Sequence, residues 1–237
     1  MKPRELEKIE VSEPTELTAD IPNAFARLWR YRLQHIYTNN RISKEYNFDF
    51  VVTKFCDAVV VVPYYRDRDG KIIVVLRRGT RPAVYLRHLH TKTTEPVCQP
   101  VFCELVAGGV EESDYKESEG IRNRAAKELF EEAGFSVPAS QLVRLGSAAF
   151  TAPSFAIEKL HFFCVEVDLA NRRTDIAADD PHEEVGELEF REIADALVMC
   201  RTGEIADQKT EVALFRFASQ MKVIPEFGLS GNRQQPE

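Results

Sequence analysis

The sequence predicts an α/β domain of the α+β kind, a mixed sheet between helices, and three features predict it. Asp57 to Tyr65 (DAVVVVPYY) and Lys71 to Leu76 (KIIVVL) are apolar, β-branched runs joined by the hairpin turn Asp67-Arg68-Asp69-Gly70. A helix carrying Lys127-Glu128-Leu129-Phe130-Glu131-Glu132 follows a strand and a glycine pair. Two further helical segments, Ile193 to Arg201 and Lys209 to Met221, come near the end. Strands flanking a central helix, with helices again at the end, form layers around one core.

Residues 1–20 are polar and acidic, and the sequence leaves open an arm or an isolated strand. Pro22 precedes a predicted helix from Asn23 to about Tyr37, with Phe25, Leu28, Trp29, Leu33 and Ile36 on one side and Asn39-Asn40 as its stop. The hairpin of residues 57–76 comes next. The segment Arg77 to Tyr85 is basic and is read as the end of a strand, and residues 86–100 as a long loop. Val101 to Val106 is a short strand that feeds Gly108 and Gly109. Past the acidic helix, strands are expected at Leu142 to Phe150 and Leu160 to Val167, with a loop from Thr151 to Glu158 between them. Residues 177–184 form an acidic loop, Leu188 to Phe190 a short strand, and Gly203 ends the helix begun at Ile193. The division expected is an N-terminal arm and helix at 1–50, a main domain at 51–225 and a polar tail at 226–237.

Composition narrows the class. The 237 residues are 44% hydrophobic, enough for a core in one large domain or a domain with an arm. The formal net charge is −7 and no block is strongly basic, which argues against a nucleic-acid partner. Cys56, Cys98, Cys103, Cys164 and Cys200 form no CxxC pair and are odd in number, so reduced packing thiols are expected. The charged N-terminus lacks the apolar stretch of a signal peptide, and no run reaches the length of a membrane span. A cytoplasmic protein with no membrane partner is the expectation.

The stretch Glu104 to Phe135 (ELVAGGVEESDYKESEGIRNRAAKELFEEAGF) carries the chemistry. Residues three and four apart share a helix face, so Glu128, Glu131 and Glu132 fall close together. Crowded carboxylates repel, and a divalent cation removes that penalty. Carboxylate oxygens suit Mg²⁺, with Mn²⁺ as a substitute. A solvated acidic helix face produces the same run, and the run alone does not separate the two.

The surrounding residues resemble the Nudix box: a Gly, a Glu, then Arg-Glu-apolar-x-Glu-Glu-x-Gly-apolar. Glu128, Leu129, Glu131, Glu132, Gly134 and Phe135 match its tail, and Glu119 stands in the position of its first Glu. Lys127 replaces the usual Arg, Ser113 replaces a loop glycine, and an insertion falls around Asp114 to Ser118. Further segments resemble the branch acting on ADP-ribose and nucleoside diphosphate sugars. These are Glu104-Leu105-Val106-Ala107-Gly108, Pro153 with Glu158, and Gly203 to Thr210. Arg81-Pro82-Ala83-Val84-Tyr85 is similar to the UDP-sugar pyrophosphatases. The resemblance covers about residues 55–220. That branch usually begins with a β-rich dimerisation piece. A homodimer is therefore implied, although the helical reading of residues 1–50 departs from the usual swapped arrangement.

The resemblance implies a Nudix fold and a set of roles. Glu128 and Glu132 are the first metal ligands, with Glu131 and the Ala107 carbonyl completing the set. Glu158 is the general base or its partner in orienting water, with Glu131 and Glu132 also catalytic; Glu183 and Glu184 are rivals to Glu158 as base. Gly108 and Gly109 let the backbone approach metal or phosphate closely. Glu119 and Lys127 support the site, Lys127 preserving charge with a looser grip than an arginine fork. Arg81, with Arg78 as alternate, is the candidate for substrate phosphates. The implied reaction is Mg²⁺-dependent hydrolysis of a nucleoside diphosphate sugar, of ADP-ribose or UDP-sugar type, to a nucleoside monophosphate and a sugar phosphate. The alternatives are another Nudix substrate (a nucleoside triphosphate, coenzyme A or a dinucleoside polyphosphate) and a catalytically silent nucleotide-sugar sensor.

Overall fold

Two compact units divide the chain in a computed structural model that describes residues 5–91, 101–174 and 187–224. The first comprises residues 1–57 and 149–159, the second residues 58–148 and 160–237.

The first unit is built on a sheet. Strand β3 (Ala26–Tyr37) is its long central member, flanked by β1 (Leu6–Val11), β2 (Thr15–Glu16) and β4 (Tyr46–Thr53). All three pair antiparallel to it, β4 in the register Ala26↔Thr53 through Leu33↔Tyr46. The helix expected from Asn23 to Tyr37 is therefore a strand. The reason lies in its own period. From Trp29 to Tyr37 the odd positions are Trp, Tyr, Leu, His and Tyr, while residues 30, 32 and 34 are Arg, Arg and Gln. That alternation is the period of a pleated strand, and aromatic pairs across the sheet reinforce it, with Tyr31 stacked on Phe50 at 5.6 Å. No described residue of β1 to β4 is fully buried. Residues 149–159 contribute β10 (Ala149–Phe150), which is not a strand of this sheet, and the Val51 N–H donates to the Phe155 carbonyl.

The second unit is a mixed α/β layer structure, with four α-helices among its described residues. Strand β5 (Asp57–Arg66) and β6 (Ile72–Thr80) form the expected hairpin, and β6 also pairs antiparallel with β7 (Val101–Glu104) and β12 (Leu188–Glu192). Strand β8 (Val106–Val110) pairs with β5, as does β11 (Lys159–Glu166), which also carries β9 (Val143–Arg144). Val59 through Val62 are completely buried, each worth about 1.5–3 kcal/mol over an exposed position.

Helix α1 (Pro82–His90) replaces the strand end and loop read from the sequence. Pro82 sits in its first turn, where a missing N–H costs nothing. None of its residues is buried, so no core-facing stripe announced it. Helix α2 (Gly120–Ala133) is the acidic helix. Ala125, Leu129 and Ala133, four apart, bury one face against Val59, Val61, Val75 and Phe163. Gly134 ends it in the left-handed conformation at φ 81°, which glycine adopts without a Cβ penalty. Helix α3 (Ile193–Thr202) and α4 (Gln208–Gln220) match expectation. The strand expected over Leu142 to Phe150 is reduced to β9 and β10, the first in this unit and the second in the other. Among the described residues no helix is long and apolar enough to cross a membrane.

Candidate functional site

The acidic helix runs beside β8, and the two meet at the glycine pair. Gly108 has no room for a side chain. A Cβ there would stand closer than 3.0 Å to the carboxyl carbon and both oxygens of Glu128. The Glu128 carboxylate therefore lies directly on the Gly108 backbone. One turn further along α2, Glu132 accepts the Ala107 N–H at 2.9 Å and forms a buried ion pair with Arg77 of β6. The structure thus brings Ala107, Gly108, Glu128 and Glu132 together, with Ala107 meeting Glu132 through its N–H.

Glu132 has a role that the sequence did not disclose. Its side chain and that of Arg77 are both almost fully buried. Burial pushes the Glu132 carboxyl above the usual carboxylate range, against the pull of Arg77 and the Ala107 N–H. Glu131, by contrast, is half exposed and pairs with Lys127 at 3.6 Å. Lys127 is exposed too, so its salt bridge lies in solvent, where such pairs contribute little. Glu119 is the N-cap of α2 without a side-chain capping bond and pairs with Arg122.

Arg124 is the residue that sequence reasoning missed. It is buried, and its guanidinium meets Asp114 at 2.8 Å, Glu111 at 2.8 Å and Glu128 at 3.6 Å. Burial works to lower its pKa, but the hydrogen bond and charge of Asp114, with Glu111 and Glu128, raise it above the ordinary arginine value. The signal was present, since Arg124 and Glu128 stand four apart on one helix. The loop before the helix supplies Asp114, in a 3-10 turn at Asp114–Lys116. This turn packs on the start of α2 so closely that a Cβ at Gly120 would come within 3.0 Å of the Asp114 backbone.

The basic residues expected to meet phosphate are engaged with carboxylates. Arg81 grips Glu104 with two nitrogens, and Lys209 reaches the same carboxylate at 2.9 Å. Glu104 itself is 1% exposed. Thr210 of α4 accepts the Leu105 N–H at 2.9 Å, while Asp207 caps that helix and accepts Lys209 at 2.8 Å. Arg78 pairs with Glu189 at 2.9 Å. Glu158 belongs to the first unit, where it is half-buried and accepts the Thr151 hydroxyl at 2.7 Å. Glu183 and Glu184 lie outside the described residues.

Among the described residues no three His, Cys, Asp or Glu side chains converge as a ready metal cluster. The charge of α2 is balanced instead by Arg77, Arg124 and Lys127. At one place the donor chemistry is of the kind a cation takes. Gly108 leaves a cradle for the Glu128 carboxylate, with hard oxygen ligands of the kind that Mg²⁺ takes. Neither a protein-family model nor a curated protein matches this sequence.

Proposed function

We propose that the chain is a Nudix-type hydrolase that cleaves the pyrophosphate bond of a nucleoside diphosphate sugar, of ADP-ribose or UDP-sugar type, with Mg²⁺ or Mn²⁺. The products are a nucleoside monophosphate and a sugar phosphate. The observation that carries this reading is the Glu128 carboxylate seated on Gly108, one helical turn from a Glu132 bonded to Ala107. Short backbone, hard carboxylate and adjacent carbonyls are what a divalent ion on a diphosphate needs.

Glu128 and the Ala107 carbonyl would hold the ion, with Glu131 near enough on the same helix to add a ligand directly or through water. A bound ion lowers the pKa of water and screens phosphate oxygens. Glu132 holds the β8 backbone at Ala107 in place through its bond to that N–H. The resemblance gives Glu158 the part of general base; within the first unit it accepts the Thr151 hydroxyl. Arg81, on the reading that it meets substrate, would have to share its guanidinium with Glu104. The partner is a second copy of the chain. A sheet whose four strands bury no residue completely supports that arrangement. The setting proposed is cytoplasmic, without nucleic-acid or membrane partners.

Formation of monophosphate products with Mg²⁺ should be measured by chromatography across ADP-ribose, UDP-glucose, GDP-mannose and a nucleoside triphosphate. Turnover of a nucleotide sugar that Glu128→Gln abolishes is the expected result. Preference for the triphosphate would move the substrate class. A second reading, a silent nucleotide-sugar sensor, draws on the Arg77–Glu132 pair, which occupies one expected ligand. Binding of a nucleotide sugar with no turnover of any of the four substrates would establish it.

A further inference from the structure

Four charged groups meet at the start of the acidic helix, and their distances are unequal. Arg124 lies 2.8 Å from both Glu111 and Asp114 but 3.6 Å from Glu128. Its Nε bonds Asp114 Oδ2 and its Nη2 lies 3.4 Å from Asp114 Oδ1, which makes the Asp114 contact a two-pronged one. Such forked pairs are the stronger and more directional kind. Only the remaining nitrogen, Nη1, faces Glu128. A guanidinium four residues before a glutamate on a helix would ordinarily close on it. Here two acids from the loop 111–116 draw it the other way.

We infer that Glu111 and Asp114 act as positioning residues that hold Arg124 back from Glu128, so that the loop 111–116, which reaches into the insertion, sets how well Glu128 receives a divalent cation. The inference rests on the metal-dependent reading above and goes beyond it, because it gives the insertion a task. Arg124 and a cation compete for the same carboxylate. With both acids in place the guanidinium is satisfied elsewhere and the competition is weak. With the acids neutralised, the guanidinium turns to Glu128 and the cation is displaced. Gly120 lets the loop lie close, since a Cβ there would meet the Asp114 backbone.

The test needs no substrate. Mn²⁺ affinity is read from the resonance of the free aqueous ion, in wild type, in Glu111→Gln with Asp114→Asn, and in that pair with Arg124→Gln added. Both acid changes preserve side-chain shape. Removing the two acids should weaken Mn²⁺ binding roughly 10-fold, the lower end for loss of groups that orient a ligand. Adding Arg124→Gln should restore it to the wild-type value or better. A merely structural loop predicts the opposite, a triple variant weaker than the double, and that result overturns the proposal. So does a double variant that binds as wild type does. Glu111→Gln alone, at a half-exposed side chain that folding tolerates, should weaken binding in the same direction by a smaller factor; no change in it also counts against the proposal. If wild type binds no Mn²⁺, the metal reading falls and takes this proposal with it, an outcome distinct from wild-type binding that the loop does not affect.

Discussion

Arg81 and Glu104 are locked together: Nε meets Oε2 at 3.0 Å and Nη2 meets Oε1 at 2.6 Å. The carboxylate is fully buried while the arginine is partly in solvent. Their separation in sequence is bridged by β6 pairing with β7, whose register sets Arg77 opposite Glu104. Arg81→Ala should therefore lower stability by about 2 kcal/mol, less than the roughly 3–5 kcal/mol of a fully buried broken pair, because Lys209 still reaches Glu104. Urea unfolding measures this. Arg81→Lys keeps the charge without the fork and should lose less. A rise in KM for a nucleotide sugar with unchanged stability would instead show that Arg81 serves the substrate.

Gly108 and Gly120 should respond differently to the same change. At Gly108 an added methyl meets the movable end of Glu128. Gly108→Ala should cost under ~1 kcal/mol in stability yet weaken Mn²⁺ binding by about 10–100-fold. At Gly120 the methyl meets fixed Asp114 backbone. Gly120→Ala should destabilise by about 1–3 kcal/mol through overpacking. Thermal melts and Mn²⁺ titration of the two variants side by side check the contrast.

Arg77→Met should have a pH-dependent effect. Burial already raises the Glu132 carboxyl, and Arg77 is the main group opposing that rise. Without Arg77, folded Glu132 binds its proton more tightly still, whereas unfolded Glu132 does not. A group holding more protons when folded loses stability as pH rises through the interval between its unfolded and folded values. The variant should thus lie about 3 kcal/mol below wild type near pH 8 and recover part of that near pH 5. Urea midpoints at the two pH values decide it. A gap that is constant or widens on acidification contradicts the burial of this pair.

Thiol reactivity should separate Cys56 from the other described cysteines. Burial pushes Cys103, Cys164 and Cys200 up to about 11, while Cys56 is exposed. At about pH 8 such a buried thiol is ionised roughly one part in a thousand, and the thiolate is the reactive form. Iodoacetamide on the folded protein, followed by peptide mass mapping, should label Cys56 within minutes and these three only after denaturant.

The legible parts of the chain were those whose local period agrees with what they pack against. The β5–β6 hairpin, α3 and α4 each carry an apolar pattern that the fold simply buries, and α2 was marked by its spacing of glutamates. The first unit was misread because Phe25, Leu28, Trp29, Leu33 and Ile36 imitate a helical stripe, while the alternation from Trp29 onward belongs to β3. Helix α1 was hidden because it buries nothing and so needs no stripe. At the site, helix spacing groups Glu128 with Glu132, and only the resemblance to the Nudix box adds Ala107 and Gly108. Arg77 could not be placed there, because it reaches Glu132 side chain to side chain from a strand 55 residues earlier. Arg124 could have been found from its i,i+4 spacing to Glu128, but its grip on Asp114 depends on how the loop 111–116 folds back.

The Leu105 N–H takes its acceptor from Thr210, 105 residues later in the chain. During synthesis the ribosome releases the glycine strand and the acidic helix well before that threonine emerges. Until it does, the amide and the neighbouring Glu104 wait without the hydroxyl and ammonium that will clasp them. A fragment cut short ahead of Asp207 would display every residue of the acidic motif and still lack the latch that sets its strand, so completion of the C-terminal helix is the last act of assembly for a site encoded a hundred residues upstream.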